Sequence, residues 1–370
     1  MSVLAVILLL AVLIFVHELG HFLAARLQGI YANRFSIGFG PILWKYQGTQ
    51  TEYALRALPL GGFVGFPDDD PDSEIPPDDP NLLKNRPVLD RAIVISAGVI
   101  ANLIFAYFLL SAQMGFVGLP SIDINPGVVI ADVAPEGVAA QAGVQKGDIV
   151  LAINDQQFPR IKGLPIITSE QATASFRQIV ETSPGKPLQL TVQRQNQQVS
   201  LNVTPKSEQE RGKIGVALRP NVVKQANGKE FYYKHPGNPI EALSWAATEF
   251  QRITVLTVQG FGQLITNFNK MASQVAGPVA IVNTGAKIAQ NDFASLINFA
   301  ALISINLAVI NILPLPALDG GQLAFLLVEG LRGKPLPSQI QDGVMQTGLV
   351  LLLGLGIFLI IRDTLNLIPQ

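Results

Sequence analysis

Two histidines and a glutamate fall within five residues, as His17-Glu18-Leu19-Gly20-His21. Side chains four apart share one face of an α-helix. Both imidazoles can therefore reach the same tetrahedral zinc ion. Glu18 is turned about 100° round the helix and can contact a water held by the metal. Zinc lowers the pKa of such a water to about 7, so a carboxylate at Glu18 can act as general base under neutral conditions. The chemistry predicted is hydrolysis by zinc-activated water. The chain has no cysteine, which excludes thiolate metal sites and disulfides.

A catalytic zinc usually takes three protein ligands and one water. The third histidine, His235, sits in Lys234-His235-Pro236-Gly237-Asn238-Pro239 and reads as an exposed loop residue. The missing ligand is then expected to be a carboxylate: Asp319, Glu329 or Asp363. Glu329 and Asp363 lie beside Arg332 and Arg362, as at interfacial helix ends. Asp319 closes the run Asn311-Ile312-Leu313-Pro314-Leu315-Pro316-Ala317-Leu318-Asp319, where Pro314 and Pro316 must break any helix. A turn there can aim Asp319 at the zinc. The competing reading makes Asp319 the cap of a helix that begins at Gly320. Given the zinc motif, ligation by Asp319 is the favoured expectation.

The elements that position these residues read as membrane helices. The chain is 49% hydrophobic and 14% charged over 370 residues, against about 25% charged in ordinary soluble domains. Val3–Ala25, Ala92–Gln113, Phe293–Leu313 and Val344–Ile361 are each near the roughly 20 apolar residues that span a bilayer. No basic n-region precedes the first run and no Ala-x-Ala-like site follows it, so it reads as a retained helix rather than a signal peptide. Ionisable groups inside such a helix are costly unless paired or metal-bound, which strengthens the zinc reading. Pro239–Phe268 is amphipathic and is expected to lie against the membrane or the protein.

Arg26, Arg34, Lys45, Arg56, Lys84, Arg86 and Arg91 crowd the first loop, and Arg332 and Lys334 the last. By the positive-inside rule both loops are cytoplasmic, with both termini outside. The acidic run Asp68–Pro80 reads as a flexible linker. Between spans two and three, Val128–Val133, Ile149–Asn154, Leu188–Gln193 and Val199–Val203 read as strands, and Thr168–Glu181 as a helix. They form a small external α/β domain, Phe116 to about Pro205. A net charge of -1 gives no basic footprint for nucleic acid.

An early H-E-x-x-H and a late N-x-x-P-x-P-x-L-D-G, in this order of spans, resemble the site-2 protease family. The single insert is similar to that of the bacterial regulator of sigma-E protease branch, and the resemblance covers nearly the whole chain. It implies one zinc ion held by His17, His21 and Asp319, with Glu18 as base. It also implies that Asn311 orients the substrate backbone or stabilises the oxyanion, with Asn306 in support; capping of the broken helix is the alternative for Asn311. Phe35-Ser36-Ile37-Gly38-Phe39-Gly40-Pro41 and Leu58-Pro59-Leu60-Gly61-Gly62-Phe63 are similar to the family's membrane-associated β-hairpin. Gly38, Gly40, Gly61 and Gly62 would there let a substrate backbone approach closely, and an open strand edge can recruit an extended peptide. The alternative is a tight-turned surface hairpin. Ala97-Gly98, Asn102 and Ala276-Gly277-Pro278-Val279 are also family-like, and packing is the simpler account of each.

Ala139–Ile149 resembles PDZ domains, whose peptide-carboxylate loop would correspond to Asn125–Val129. Such an insert can capture peptide tails or exclude substrates with bulky external domains. The expected architecture is an α-helical multi-pass membrane protein of about four spans, with the β-hairpin and one inserted PDZ-like domain. Its parts are residues 1–115, 116–205, 206–292 (linker and amphipathic region) and 293–370. The resemblance implies cleavage of single-pass membrane proteins, such as anti-sigma factors or remnant signal peptides, in a bacterial cytoplasmic or thylakoid membrane. The rival classes are a non-catalytic adaptor and a transporter. Glu18 argues against the first, and the scarcity of polar residues in spans two and four against the second.

Overall fold

The computed structural model describes residues 2–70, 73–208, 210–225, 228, 230–268, 275–292 and 294–367. They divide into two compact units, Met1–Gly115 with Pro239–Gln370, and Phe116–Asn238.

In the first unit, helix α1 (Ser2–Leu27) is followed by strands β1 (Arg34–Gln47) and β2 (Glu52–Gly65), then helix α2 (Val88–Phe116). α1 and α2 approach through small residues: a Cβ on Gly20 would lie 2.4 Å from Ala97 O and 2.7 Å from Ala101 Cβ. Small residues are what allow helix backbones this close in a membrane. β1 and β2 pair and fold over, so Ser36 is paired with both Ala54 and Phe63. Gly62–Gly65 therefore forms an outer segment, with Arg34–Ile37 between it and Glu52–Leu55. Arg56 ties the fold down by donating to Ser36 Oγ and Gly40 O, each at 2.9 Å.

The acidic stretch after β2 is not the free linker expected. The Asp68 carboxylate accepts the backbone N–H groups of Leu83 (2.9 Å) and Lys84 (3.3 Å), and Asp70 pairs with Arg34 at 2.8 Å. Short acidic side chains serve here as local backbone acceptors, which organises the turn. Pro71 and Asp72 of that stretch lie outside the described residues.

The second unit is a sheet with one substantial helix. Its elements are β3 (Leu119–Val133), α3 (Val138–Gln141), β4 (Ile149–Ile153), β5 (Gln156–Gln157), β6 (Ile161–Pro165) and α4 (Gln171–Glu181), followed by β7 (Leu188–Arg194), β8 (Gln197–Val203), β9 (Lys206–Glu208), β10 (Arg211–Lys213), β11 (Val216–Val222) and β12 (Tyr232–Lys234). The main strand order is β11-β3-β4-β7-β8. Val128, Ile130, Val150, Ile153, Phe176, Leu190 and Val192 build its core. The compact unit runs on to Asn238, beyond the end expected near Pro205, because β11 and β12 return to pair with β3. Asn125–Val129 is enclosed by this pairing: Val128 and Val129 are paired with β4 on one side and β11 on the other. The outer strand beside α4 is β11.

The first unit resumes with α5 (Pro239–Thr266), α6 (Pro278–Asn291), α7 (Ser295–Ile312), α8 (Asp319–Arg332) and α9 (Ser338–Leu367). Among the described residues, four helices are long and apolar enough to cross a membrane: α1, α2, α7 and α9. They coincide with the four expected spans, though Phe293, the expected start of the third, lies outside the described residues. The amphipathic stretch forms α5, which buries Ala242, Ala246, Glu249, Ile253 and Thr257. Thr257 Oγ1 donates to Asn306 Oδ1 at 2.9 Å, which ties α5 to α7. Val6 and Leu13 of α1 pack with Leu296, Phe299 and Ile303 of α7.

Candidate metal centre

Three elements converge on one point. α1 carries His17, Glu18 and His21, with the two imidazoles stacked edge-on at 4.8 Å between ring centres. α7 ends at Ile312, because Pro314 and Pro316 cannot continue it. The chain then turns sharply, with Ala317 at φ 67° and its N–H directed at Met345 Sδ (3.3 Å). The turn is tight enough that a Cβ on Gly320 would meet Leu313 O at 2.1 Å. α8 begins directly at Asp319, which delivers the carboxylate to the histidines.

His17 Nε2 lies 3.3 Å from His21 Nε2 and 3.3 Å from Asp319 Oδ2, and His21 Nε2 lies 3.5 Å from the same oxygen. Ligands 2.0–2.1 Å from a tetrahedral zinc stand roughly 3.3–3.4 Å apart, so the triangle has the right edges. Asp319 Oδ2 is buried, has no hydrogen-bond partner among the described residues, and lies within 3.5 Å of both imidazole nitrogens. An unsatisfied carboxylate oxygen facing two imidazoles is a donor set suited to a divalent cation. The N-cap of α8 is Leu318, and Asp319 is the first residue of the helix rather than its cap.

The far sides of the rings are held by α2. His21 Nδ1 is 2.9 Å from Val94 O, and His17 Nδ1 is 3.3 Å from Asn102 Nδ2. Gly98 lies between these two residues, and a Cβ there would fall 2.4 Å from His21 Nε2. Val94, Gly98 and Asn102 are four residues apart and share one face of α2. That spacing was visible in the sequence. Asn311 Nδ2 comes within 3.3 Å of His17 Nε2.

His17, Glu18, His21 and Asp319 line a cleft of about 640 Å³ together with Gly62, Phe63, Arg91, Gln322 and Met345. Gly62 presses on the glutamate, since a Cβ there would be 2.8 Å from Glu18 Cγ. Gly38, Gly40 and Gly61 do not line the cleft. They have φ of 85°, 83° and 97°, the left-handed region that glycine tolerates best, and so shape the bends of β1 and β2.

The other candidate ligands are elsewhere. His235 is exposed in the second unit. Glu329 pairs with Arg91 rather than Arg332. Asp363 accepts the Ala280 N–H at 2.9 Å at the start of α6 and also pairs with Arg362.

The profile of peptidase family M50 matches residues 5–355. The chain belongs to peptidase family M50. Among the relatives of this M50 peptidase is a Nostoc sp. protein inferred to be a zinc metalloprotease, 64% identical over 100% of this chain and 98% of its own length. The chloroplastic membrane metalloprotease ARASP of Arabidopsis thaliana is 47% identical over 99% of this chain and 79% of its own. The regulator of sigma-E protease RseP of Salmonella typhimurium is 31% identical over 96% and 97%. Among solved structures, the PDZ domain of the SdrC-like protein of Listeria monocytogenes covers 25% of this chain and 86% of its own. At 17% identity and a TM-score of 0.20, that likeness carries no argument. This M50 peptidase is thus a zinc metalloprotease of the site-2 protease family, and its apolar helices make it a membrane protein.

Proposed function

We propose that the chain cuts peptide bonds in or near the transmembrane segments of single-pass membrane proteins, using one zinc ion held by His17, His21 and Asp319. The observation that carries the reading is the 3.3–3.5 Å triangle of Nε2, Nε2 and Oδ2 atoms in a cleft that also contains Glu18. When bound, zinc supplies Lewis acidity and lowers the pKa of a water at the site to about 7. Glu18 removes the proton from the attacking water and returns it to the departing amine. Asn311 directs its NH₂ into the same site, where a donor stabilises charge developing on the substrate oxygen.

A helical substrate shields its peptide bonds, so it must unwind. The outer segment Gly62–Gly65 offers a strand edge for an extended peptide, and Gly62 brings that edge against Glu18. Loosely wound substrate spans, such as those of clipped anti-sigma factors or remnant signal peptides, suit this route. The relative named as a regulator of sigma-E protease supports that class. Basic residues in the two loops assign them to the cytoplasm, with both termini and Phe116–Asn238 outside, in a bacterial cytoplasmic or thylakoid membrane. In that unit the outer edge of β11 is the surface suited to a peptide tail.

The test is cleavage of a tagged single-pass reporter in proteoliposomes, with the cut mapped by mass spectrometry. Cuts within or beside the reporter's span, made faster by helix-breaking substitutions there, support the proposal. Cuts confined to its soluble domains, or rates indifferent to those substitutions, contradict it.

A further inference from the structure

We infer that Asn102 is a positioning residue that holds His17 in the tautomer able to ligate zinc. The inference rests on the metal site proposed above. His17 turns Nε2 toward His21 and Asp319, so ligation uses Nε2. A neutral imidazole that ligates through Nε2 carries its proton on Nδ1. For His21 that proton has an acceptor, Val94 O at 2.9 Å, which as a backbone carbonyl can only accept. For His17 the partner within reach of Nδ1 is the Asn102 carboxamide at 3.3 Å. Asn311 cannot serve, because it faces the other nitrogen.

Asn102 is fully buried in α2, and its Oδ1 has no hydrogen-bond partner among the described residues. Its Nδ2 faces His17 Nδ1, and two donors cannot bond. A half-turn of the carboxamide exchanges its two ends, which differ little in shape. The oxygen then accepts the Nδ1 proton, and no bond at Oδ1 is broken in the exchange. Ser304 Oγ of α7 donates to the backbone O of Asn102 at 2.8 Å, a helix contact that does not involve the carboxamide. α2 thereby holds both ligand rings by their far nitrogens, with a carbonyl for one and a carboxamide for the other. Partners of this kind fix ring orientation and raise ligand basicity.

The test measures zinc affinity of the detergent-solubilised full chain by competition with a chromophoric chelator. Asn102→Leu keeps the shape and removes the acceptor, and is expected to weaken zinc binding about 10- to 100-fold. Asn102→Asp supplies only an acceptor and should stay within about 10-fold of the parent. Ser304→Ala disturbs the same helix contact without touching the carboxamide and should leave affinity unchanged. Zinc binding by Asn102→Leu as tight as the parent's overturns the inference. So does a loss by Asn102→Asp or Ser304→Ala equal to that of Asn102→Leu. If Asn102→Leu fails to fold, Asn102→Ala removes the same acceptor and decides: a loss of about 10- to 100-fold supports the inference, and binding as tight as the parent's overturns it. A parent chain that binds no zinc overturns the metal reading itself, whereas a zinc-binding parent with indifferent Asn102 variants overturns this inference alone.

Discussion

Gly98 of α2 and His21 of α1 pass so closely that a Cβ on the glycine would stand 2.4 Å from His21 Nε2, and 2.7 Å from His17 Cε1. The space that the glycine leaves is the space the two rings occupy. Overpacking at such a contact costs about 1–3 kcal/mol, roughly 5- to 150-fold in an equilibrium constant. Gly98→Ala should therefore weaken zinc binding by about that factor, read by chelator competition. Gly115→Ala lies in the same helix, where a Cβ would meet nothing within 4 Å, and should bind zinc normally. Equal zinc affinity in both variants would mean the rings do not depend on this approach.

Gly62 acts on the base rather than on the proposed ligands. A Cβ there would meet Glu18 Cγ at 2.8 Å and Ser36 O at 2.9 Å. Gly62→Ala is predicted to lower kcat about 10-fold or more through displacement of the general base, with zinc content unchanged. Steady-state cleavage of a reporter beside metal analysis separates the two, and loss of zinc in step with activity would refute the prediction.

Acid stability of the inserted unit should follow Asp148. Burial disfavours its charge, but Arg194 donates two bonds at 2.7 Å, Gln145 N–H donates a third at 2.9 Å, and the guanidinium adds its charge. Together they hold the carboxyl below the usual carboxylate range. A folded-state pKa below the unfolded value of about 3.9 gives stability present above that value and lost as pH falls through the folded one. Arg194→Leu should therefore destabilise the unit at neutral pH by about 1.5–3 kcal/mol, with the gap closing below about pH 4. Hydrogen exchange at the Ile130 amide, bonded to Asp148 O, reports it. A gap that persisted unchanged at pH 3 would refute the assignment.

How far the sequence reaches depends on whether a feature is local. His17, Glu18 and His21 are legible because the geometry of one helix turn relates them. Asp319 is legible because two prolines must break the helix before it. Gly98 and Asn102 share a helix face that the sequence shows, but that this face meets α1 depends on packing between distant segments. That the compact unit runs on to Asn238 is hidden for the same reason, since β11 and β12 pair with a strand about a hundred residues earlier. The bond between Asn306 and Thr257 is hidden likewise, because composition does not place the helix that carries Thr257. The Asp68–Pro80 run misleads: its charges suggest disorder, while its carboxylates hold backbone amides.

In the proposed reaction a zinc ion and Glu18 together perform the hydrolysis. The most direct measurement is cleavage of a single-pass reporter by the parent chain and by Glu18→Gln in proteoliposomes, with zinc assayed in the same samples. One zinc per chain is expected in both, with at least a 100-fold loss of cleavage in the variant, on the scale of a lost general base. Equal cleavage by the two would contradict it.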